Sequence, residues 1–468
     1  MNQPVPPPIN TLGRFSPASS HSIRILPAVV SASIGEKALH WDHNELGIEG
    51  MGLTLRIAKT IPELEQLREI WSLWCEGPMA DIDYFFASAQ CTAGFLRPHV
   101  MVVYRDGLPD CMLIGRLEDT QLTLRVGYKT LFQPRVRRLL FVQGGFLGNQ
   151  SQESSEFLVS GIVSCLQQGE ADMAEFMRVR EDSALYLAAR EKPNFLRRGH
   201  FLPVEEHRFV RLPESFDKFL QSLSRKNRHE FRRHEKKLTD AFAGQVRIRC
   251  YRTEEELEDL AQEVDKVSEK TYQRAIGAGF KADVENYEAL RVAAHRGWMR
   301  GCVLYLAEQP CAFLIGNHYK NTFHANFMGF DSRFGKYSPG LHLLLHSIEE
   351  CFEPDRRATE IDFGGGDRQY KRAICNQSCK DGPVRLYALS FGGFKLNCLQ
   401  SGTSAIDGCA RKLLLRSPLL QKLKKTWLRW LQKSAGPDTL EQECEDDGSE
   451  RRSRQPSATM SRLEVQHK

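Results

Sequence analysis

The chain has 468 residues, 41% of them hydrophobic and 26% charged. That composition excludes a disordered or fibrous protein and leaves room for two or three ordinary domains. Lysine and arginine exceed the acids by five, a mild excess that hints at nucleic acid or an anionic surface.

Thirteen cysteines, scattered and odd in number, argue against a disulfide framework and read as reduced thiols of a cytoplasmic protein. Cys375 and Cys379 are spaced C-x3-C, but no second pair follows at zinc spacing, so no metal is expected. The N-terminus lacks the basic-then-apolar order of a secretory signal. No window reaches the roughly 18–20 apolar residues of a membrane span.

Residues 1–50 read as a flexible leader. Apolar residues at helical spacing (Leu64, Leu67, Ile70, Trp71, Trp74) predict a helix over Pro62–Cys75. Strands are expected at Val100–Tyr104, Cys111–Gly115 and Leu122–Val126, with helices at Glu153–Gln168 and Asp182–Arg190. The second half repeats this order. Helices Glu254–Tyr272 and Val284–Arg296 precede strands Cys302–Leu306, Cys311–His318 and Thr322–Phe330. Helix Gly340–Phe352 and strands Thr359–Phe363 and Val384–Phe391 follow. Residues 434–468 lack apolar periodicity and read as a disordered tail.

The repeat extends to identities. Val102, Tyr104, Pro109, Leu113, Ile114 and Gly115 match Val303, Tyr305, Pro310, Leu314, Ile315 and Gly316, all offset by the same 201 positions. Self-similarity at so long a period means two copies of one domain, here 51–204 and 205–392, rather than a solenoid.

Several apparent motifs fail on spacing. His229-Glu230 with His234 resembles a zincin helix, but the second histidine falls five residues on instead of four. Gly329 to Gly335-Lys336 is one residue too long for a phosphate loop. No G-x-S-x-G elbow supports a serine hydrolase.

Two segments carry more. Asp331–Gly340 joins a strand to a helix with Ser338 placed as N-cap, Pro339 at the first helical position and Gly340 keeping the way in open. Such a helix start suits a phosphate or pyrophosphate, with Arg333, Lys336 and Tyr337 beside it. An ordinary well-capped helix would use the same residues. Ile361–Arg372 runs from a strand through three glycines to Asp367, Tyr370 and Lys371. Asp362 and Asp367 could serve as base and orienter for a nucleophile, or the segment is a capped turn.

Ser222–Lys237 holds seven Lys/Arg and two Glu between the halves, an RNA contact or anion clamp, or simply a solvated helix face. Residues 411–433 hold eight Lys/Arg and no acid, with Trp427 and Trp430 suited to a membrane interface. The remainder of the chain is therefore slightly acidic, and general basicity disappears.

The two similar halves, the L-S-R-K-x-R-x-x-x-R-R run, the Y-S-P-G helix start and the D-F-G-x-G-D-x-x-Y-K-R element together resemble the CelD/BcsL-type acetyltransferases. These are GNAT-superfamily proteins tied to bacterial cellulose or exopolysaccharide production and related to FemAB-like transferases. The resemblance covers about 50–392 and implies an α/β (α+β) fold of tandem GNAT-like domains, each a mixed, partly splayed central sheet flanked by helices.

It further implies acyl transfer, with acetyl-CoA or another acyl-CoA as co-substrate and no metal, to an amine or hydroxyl of a sugar or cell-envelope precursor. Ser338, Gly340 and Lys336 would fall near the donor, and Asp362, Asp367, Tyr370 and Lys371 near the acceptor. The usual R/Q-x-x-G-x-G/A pyrophosphate signature is absent, which leaves aminoacyl-tRNA as an alternative donor. A non-catalytic partner of a polysaccharide synthase is the other alternative. The expected place is the cytoplasm, with peripheral contact at the inner membrane face through 411–433. Nucleic acid is expected only as tRNA in the alternative reading.

Overall fold

The computed structural model describes residues 45–416, apart from 51, 128, 272–273 and 275–278. The first half begins with strands β1 (Glu45–Gly50) and β2 (Leu53–Ala58). Helices α1 (Ile61–Gln66), α2 (Arg68–Trp74) and α3 (Ile82–Cys91) follow. Then come β3 (Phe95–Pro98), β4 (Val100–Arg105), β5 (Leu108–Gln121), β6 (Leu124–Val126), β7 (Lys129–Phe132) and β8 (Arg135–Gly148). The half continues through α4 (Gln152–Gln167), β9 (Met173–Arg180), α5 (Ala184–Glu191) and β10 (Glu205–Arg211).

After it run α6 (Phe216–Ser222), α7 (Arg225–Ala241), β11 (Val246–Tyr251), α8 (Leu257–Ser268), α9 (Val284–His295), β12 (Met299–Leu306), β13 (Gln309–Tyr319) and β14 (Thr322–Phe330). The described chain ends with α10 (Pro339–Glu350), β15 (Glu360–Gly365), α11 (Gln369–Ile374), β16 (Gln377–Tyr387) and α12 (Phe391–Arg416).

Fourteen strands form one mixed sheet in the order β1-β2-β4-β5-β8-β9-β16-β10-β15-β14-β13-β12-β11, with β3 on β5. Strands β4, β5, β12 and β13 carry near-continuous buried runs because helices cover both faces. Alternation does the sorting in the second half. Cys302, Leu304, Ala312 and Leu314 join one core with Phe231, Leu343 and Ile348 of α7 and α10. Val303, Tyr305, Phe313 and Ile315 join the opposite core with Leu260 and Val264 of α8. In the first half, Leu55, Met101 and Leu113 pack on Leu158 and Ile162 of α4.

The 201-residue offset is geometric as well as textual. Val102 pairs with Met112 and Val303 with Phe313, and both ladders slip at the same place, before Tyr104–Pro109 and Tyr305–Pro310. Each half runs antiparallel strands into one parallel pair, β8 with β9 and β14 with β15. The last strands are then exchanged. Taken through β10, the first half runs seven residues past the 204/205 division expected from the sequence; β10 pairs with β15, whereas β16, from the end of the second half, pairs with β9. β10 and β16 pair with each other between them.

Some expectations are corrected. Glu45–Gly50 pairs with β2, so ordered strand begins inside the stretch read as leader. Leu124–Val126 leaves the main sheet for a two-stranded ribbon with β7. There Leu122 and Leu124 lie buried with Leu396 of α12. The helix expected from Glu254 starts at Leu257, because the Glu256 carboxylate accepts the N–H groups of Arg252 and Thr253. The strand expected over Val384–Phe391 ends at Tyr387, and α12 begins at Phe391. The expectations for 1–44 and 417–468 lie outside the described residues. Among the described residues no helix is long and apolar enough to cross a membrane.

Candidate active site

Five consecutive strands at the middle of the sheet contribute one ionisable side chain each to a continuous ladder. Arg178 of β9 donates to Asp381 of β16, Nη2 to Oδ1 at 2.7 Å. The other oxygen of Asp381 lies 2.7 Å from Nδ1 of His207 on β10. His207 Nε2 lies 2.6 Å from Oδ1 of Asp362 on β15. Asp362 Oδ2 in turn stands 3.4 Å from Nδ1 of His324 on β14. The ladder exists only because the last strands are exchanged, which seats β16 and β10 between β9 and β15.

The charge states follow from this geometry. Burial alone would favour neutral His207, but hydrogen bonds to Asp362 and Asp381 outweigh it and raise its pKa to about 9. It is an imidazolium between two carboxylates at neutral pH. Burial works against ionisation of Asp362, yet bonds from His207 and His324 and the Gly364 N–H hold it well below the ordinary range. Asp381 is likewise lowered against its burial by His207 and Arg178.

Asp362 and His324 are register partners on the last paired step of the parallel β14–β15 ladder. Beyond them the two strands part. β14 carries a bulge here, since Ile315 pairs with Phe327 and Gly316 with Ala325, leaving Asn326 as the extra, exposed residue. His324 Nε2 is buried and without a hydrogen-bond partner among the described residues. An ionised carboxylate, an open imidazole nitrogen and a bulged backbone thus meet where the sheet opens.

Glycines shape the next turn. Gly364 and Gly366 adopt positive φ of 64° and 91°. A Cβ on Gly365 would stand 1.9 Å from the Arg178 guanidinium. Lys371 folds back into this turn. It is buried, and its ammonium donates to the carbonyls of Phe363 and Gly365, both at 2.7 Å, and of Gly364 at 3.3 Å. Burial lowers its pKa. Lys371 therefore braces the glycine turn.

Asp367 does not join Asp362. It is tied to Arg208 at 2.6 Å and Arg372 at 2.7 Å, which lower its pKa. Tyr370 sets its ring edge-on to Phe363. Of the four acceptor-side candidates, the structure brings Asp362 into the ladder, and the residue hydrogen-bonded to its carboxylate there is His207 rather than Asp367.

The donor-side candidates also rearrange. Ser338 takes a left-handed backbone (φ 52°) and makes no side-chain cap; its hydroxyl bonds His234 Nδ1 of α7 at 3.0 Å. Arg333 is held by Asp331 at 2.6 Å. Lys336 lies over the Tyr337 ring, and that ring packs edge-on against Phe242. Gly340 is closely packed rather than open, since a Cβ there would come within 3.2 Å of the Phe330 ring. Pro339 has no N–H, and the N–H groups of Leu341 and His342 return to the Ser338 carbonyl. The helix start offers few free donors to a pyrophosphate. The Ser338–His234 bond instead ties it to α7, whose Arg225, Lys226, Arg232, Arg233, Lys236 and Lys237 are exposed.

His207, Asp381, Arg178 and His324 were not among the sequence candidates. Their partners lie as far as 203 residues away in the chain, so no local spacing marks them. The first half has its own carboxylate at the corresponding place. Glu175 is the third residue of β9, as Asp362 is of β15. It is clamped by Arg138 at 2.7 Å and Arg385 at 2.6 Å. Two fixed guanidinium groups in place of two imidazoles make that copy an ion-pair anchor.

A family model described as an acetyltransferase (GNAT) domain matches residues 225–372. No curated protein matches the chain. Among solved structures, FemX is 12% identical and superposes with a TM-score of 0.46 over 67% of this chain and 92% of its own. A tandem GNAT protein from the clavulanic acid biosynthesis pathway is 9% identical, with a TM-score of 0.44 over 72% of this chain and 99% of its own. A GCN5-related N-acetyltransferase from Kribbella flavida is 10% identical, with a TM-score of 0.33 over 71% of each chain. The matched segment holds β14, α10, Asp362 and Lys371, whereas Arg178, His207 and Asp381 lie outside it. Residues 225–372 are thus similar to an acetyltransferase (GNAT) domain.

Proposed function

We propose that the protein transfers an acyl group, with acyl-CoA as donor, to an amine or hydroxyl of a sugar or cell-envelope precursor. The observation that carries this reading is the ionised Asp362 at the mouth of the β14–β15 opening, beside the Asn326 bulge and the open nitrogen of His324. A nucleophile hydrogen-bonded to Asp362 attacks the thioester carbonyl carbon, and the carbonyl oxygen takes the developing charge beside the bulged backbone. The C–S bond breaks, and the proton given up by the nucleophile leaves with the thiol. His207, Asp381 and Arg178 keep Asp362 ionised and fixed in place.

The acceptor class rests on the sequence resemblance to CelD/BcsL-type enzymes. The test is a thiol-release assay with acetyl-CoA against nucleotide sugars and lipid-linked precursors, alongside thermal-shift titration. Donor at about 100 times its dissociation constant should stabilise by roughly 2.7 kcal/mol. Absence of any shift across a panel of acyl-CoA thioesters would sink the reading.

The cationic face of α7 favours a second donor, aminoacyl-tRNA, because exposed arginines and lysines bordering the helix start suit a long polyanion. Binding of tRNA that weakens steeply with salt, together with no acyl-CoA shift, would select it. Peripheral membrane contact belongs to the same proposal and is checked by vesicle sedimentation with and without residues 411–433.

A further inference from the structure

Away from the opening, on the α10-covered face of the second half, four side chains of metal-binding type converge. Cys250 of β11 and Cys302 of β12 are direct register partners across the antiparallel pair. His346 and Glu350 lie one helical turn apart on α10, four positions that place both on one face. The Cys250 and Cys302 sulfurs are 4.0 and 3.9 Å from the same carboxylate oxygen of Glu350. The three ligand atoms lie within 4.8 Å of one another. His346 and the Cys250 thiol are electrostatic partners.

The neighbours orient this set. Oε1 of Glu350 is taken by Arg252 at 2.5 Å and Arg356 at 3.1 Å, which turns Oε2 to the two sulfurs. Outer partners of this kind fix a ligating carboxylate. Cys302 is 2% exposed, and the other three are partly buried.

We propose that Cys250, Cys302, His346 and Glu350 bind one zinc ion as a structural site that staples the end of α10 to strands β11 and β12. Two soft thiolates, an imidazole and a carboxylate supply the four ligands that tetrahedral zinc takes. With zinc–sulfur bonds of about 2.3 Å, the two sulfurs must stand about 3.8 Å apart, a closure of about an ångström at most. On binding, both thiols give their protons to solvent and the imidazole binds as the neutral ring. Because α10 starts at the candidate donor loop, a fixed C-terminal end holds that loop's base in register.

The test uses the full chain purified under reducing conditions without chelator. Elemental analysis should find about one zinc per chain, falling below about a tenth in Cys250→Ser and Cys302→Ser. Cobalt exchanged into the native chain should show thiolate charge-transfer absorption and tetrahedral d–d bands. The milder Glu350→Gln should keep the fold, judged by circular dichroism, and weaken cobalt binding about tenfold. Zinc content unchanged in the cysteine variants would overturn the proposal. So would a reduced native chain that carries no metal and gives no cobalt bands, including one in which the two cysteines are recovered as a disulfide. Metal content is read independently of acyl transfer, so either result leaves the proposed activity to its own assay.

Discussion

His207 Nε2 lies 2.6 Å from Asp362 Oδ1 although 155 positions separate the two residues in the chain. That contact converts a buried carboxylate into a fixed acceptor at the place where the sheet opens. Replacing Asp362 with Asn or His207 with Gln should lower kcat about 100-fold or more while KM for the donor changes little. Steady-state kinetics on both variants, with unchanged circular dichroism, checks this. Activity within a few-fold of wild type in Asp362→Asn would remove the carboxylate from the mechanism.

The same contact sets a pH dependence of stability. Folding raises the proton affinity of His207 from 6.5 to about 9. Its contribution is therefore complete below the unfolded value of 6.5 and fades as pH rises through about 9. Asp362 and Asp381 are depressed, so their contribution is present above the ordinary carboxylate value of 3.8 and is lost as pH falls below it. Melting temperature should fall between pH 6.5 and about 9 more steeply in the wild type than in His207→Gln. Parallel curves for the two proteins would refute the assigned charge state.

Lys371→Met should cost stability first and activity second. It strips the Phe363 and Gly365 carbonyls of a buried donor, a loss of about 1–3 kcal/mol. Calorimetry should register a drop of several degrees. An unaltered melting temperature with abolished turnover would instead make Lys371 a direct participant.

Asp367→Ala separates two roles in the opposite sense. Its ion pairs with Arg208 and Arg372 are exposed and worth about 1 kcal/mol or less. Stability should barely move, and activity should stay within a few-fold if Asp362 and His207 are the operative pair. A loss of about 100-fold would restore Asp367 to the acceptor site.

Gly365→Ala should dislodge Arg178, because the added methyl would overlap its guanidinium. The expected result is a weakened hold on Asp381, reduced stability and reduced kcat. Arg178→Ala combined with Gly365→Ala should be no worse than either change alone, a double-mutant cycle that tests the shared route.

Much of this architecture is legible in the sequence where one rule acts alone. β12, β13 and α10 show because alternation, turn residues and helical spacing agree over Met299–Glu350. The duplication shows because six pairs keep one offset. β8 hides because arginines at 135, 137 and 138 and glycines at 144 and 145 interrupt its apolar run. β10 hides for a different reason. Its EEHRFVR sequence is polar because His207 meets carboxylates of neighbouring strands and Arg208 meets Asp367 just past β15. Asp362 is readable from its glycine-rich surroundings, but its hydrogen-bond partner His207 is not, since only the exchanged strands bring the two together. Ser338 misleads because its left-handed backbone sends the hydroxyl to His234.

The exchange of β10 and β16 also governs how the molecule is made. Between β9, ending at Arg180, and β16, beginning at Gln377, synthesis takes about 10–40 s at 5–20 residues/s. Through that interval β9 of the nascent chain exposes an unpaired edge, the kind of surface that recruits other strands. The long wait makes the first half dependent on the ribosome finishing the second. Slow translation or a truncated message should therefore yield aggregates, rather than a soluble N-terminal fragment.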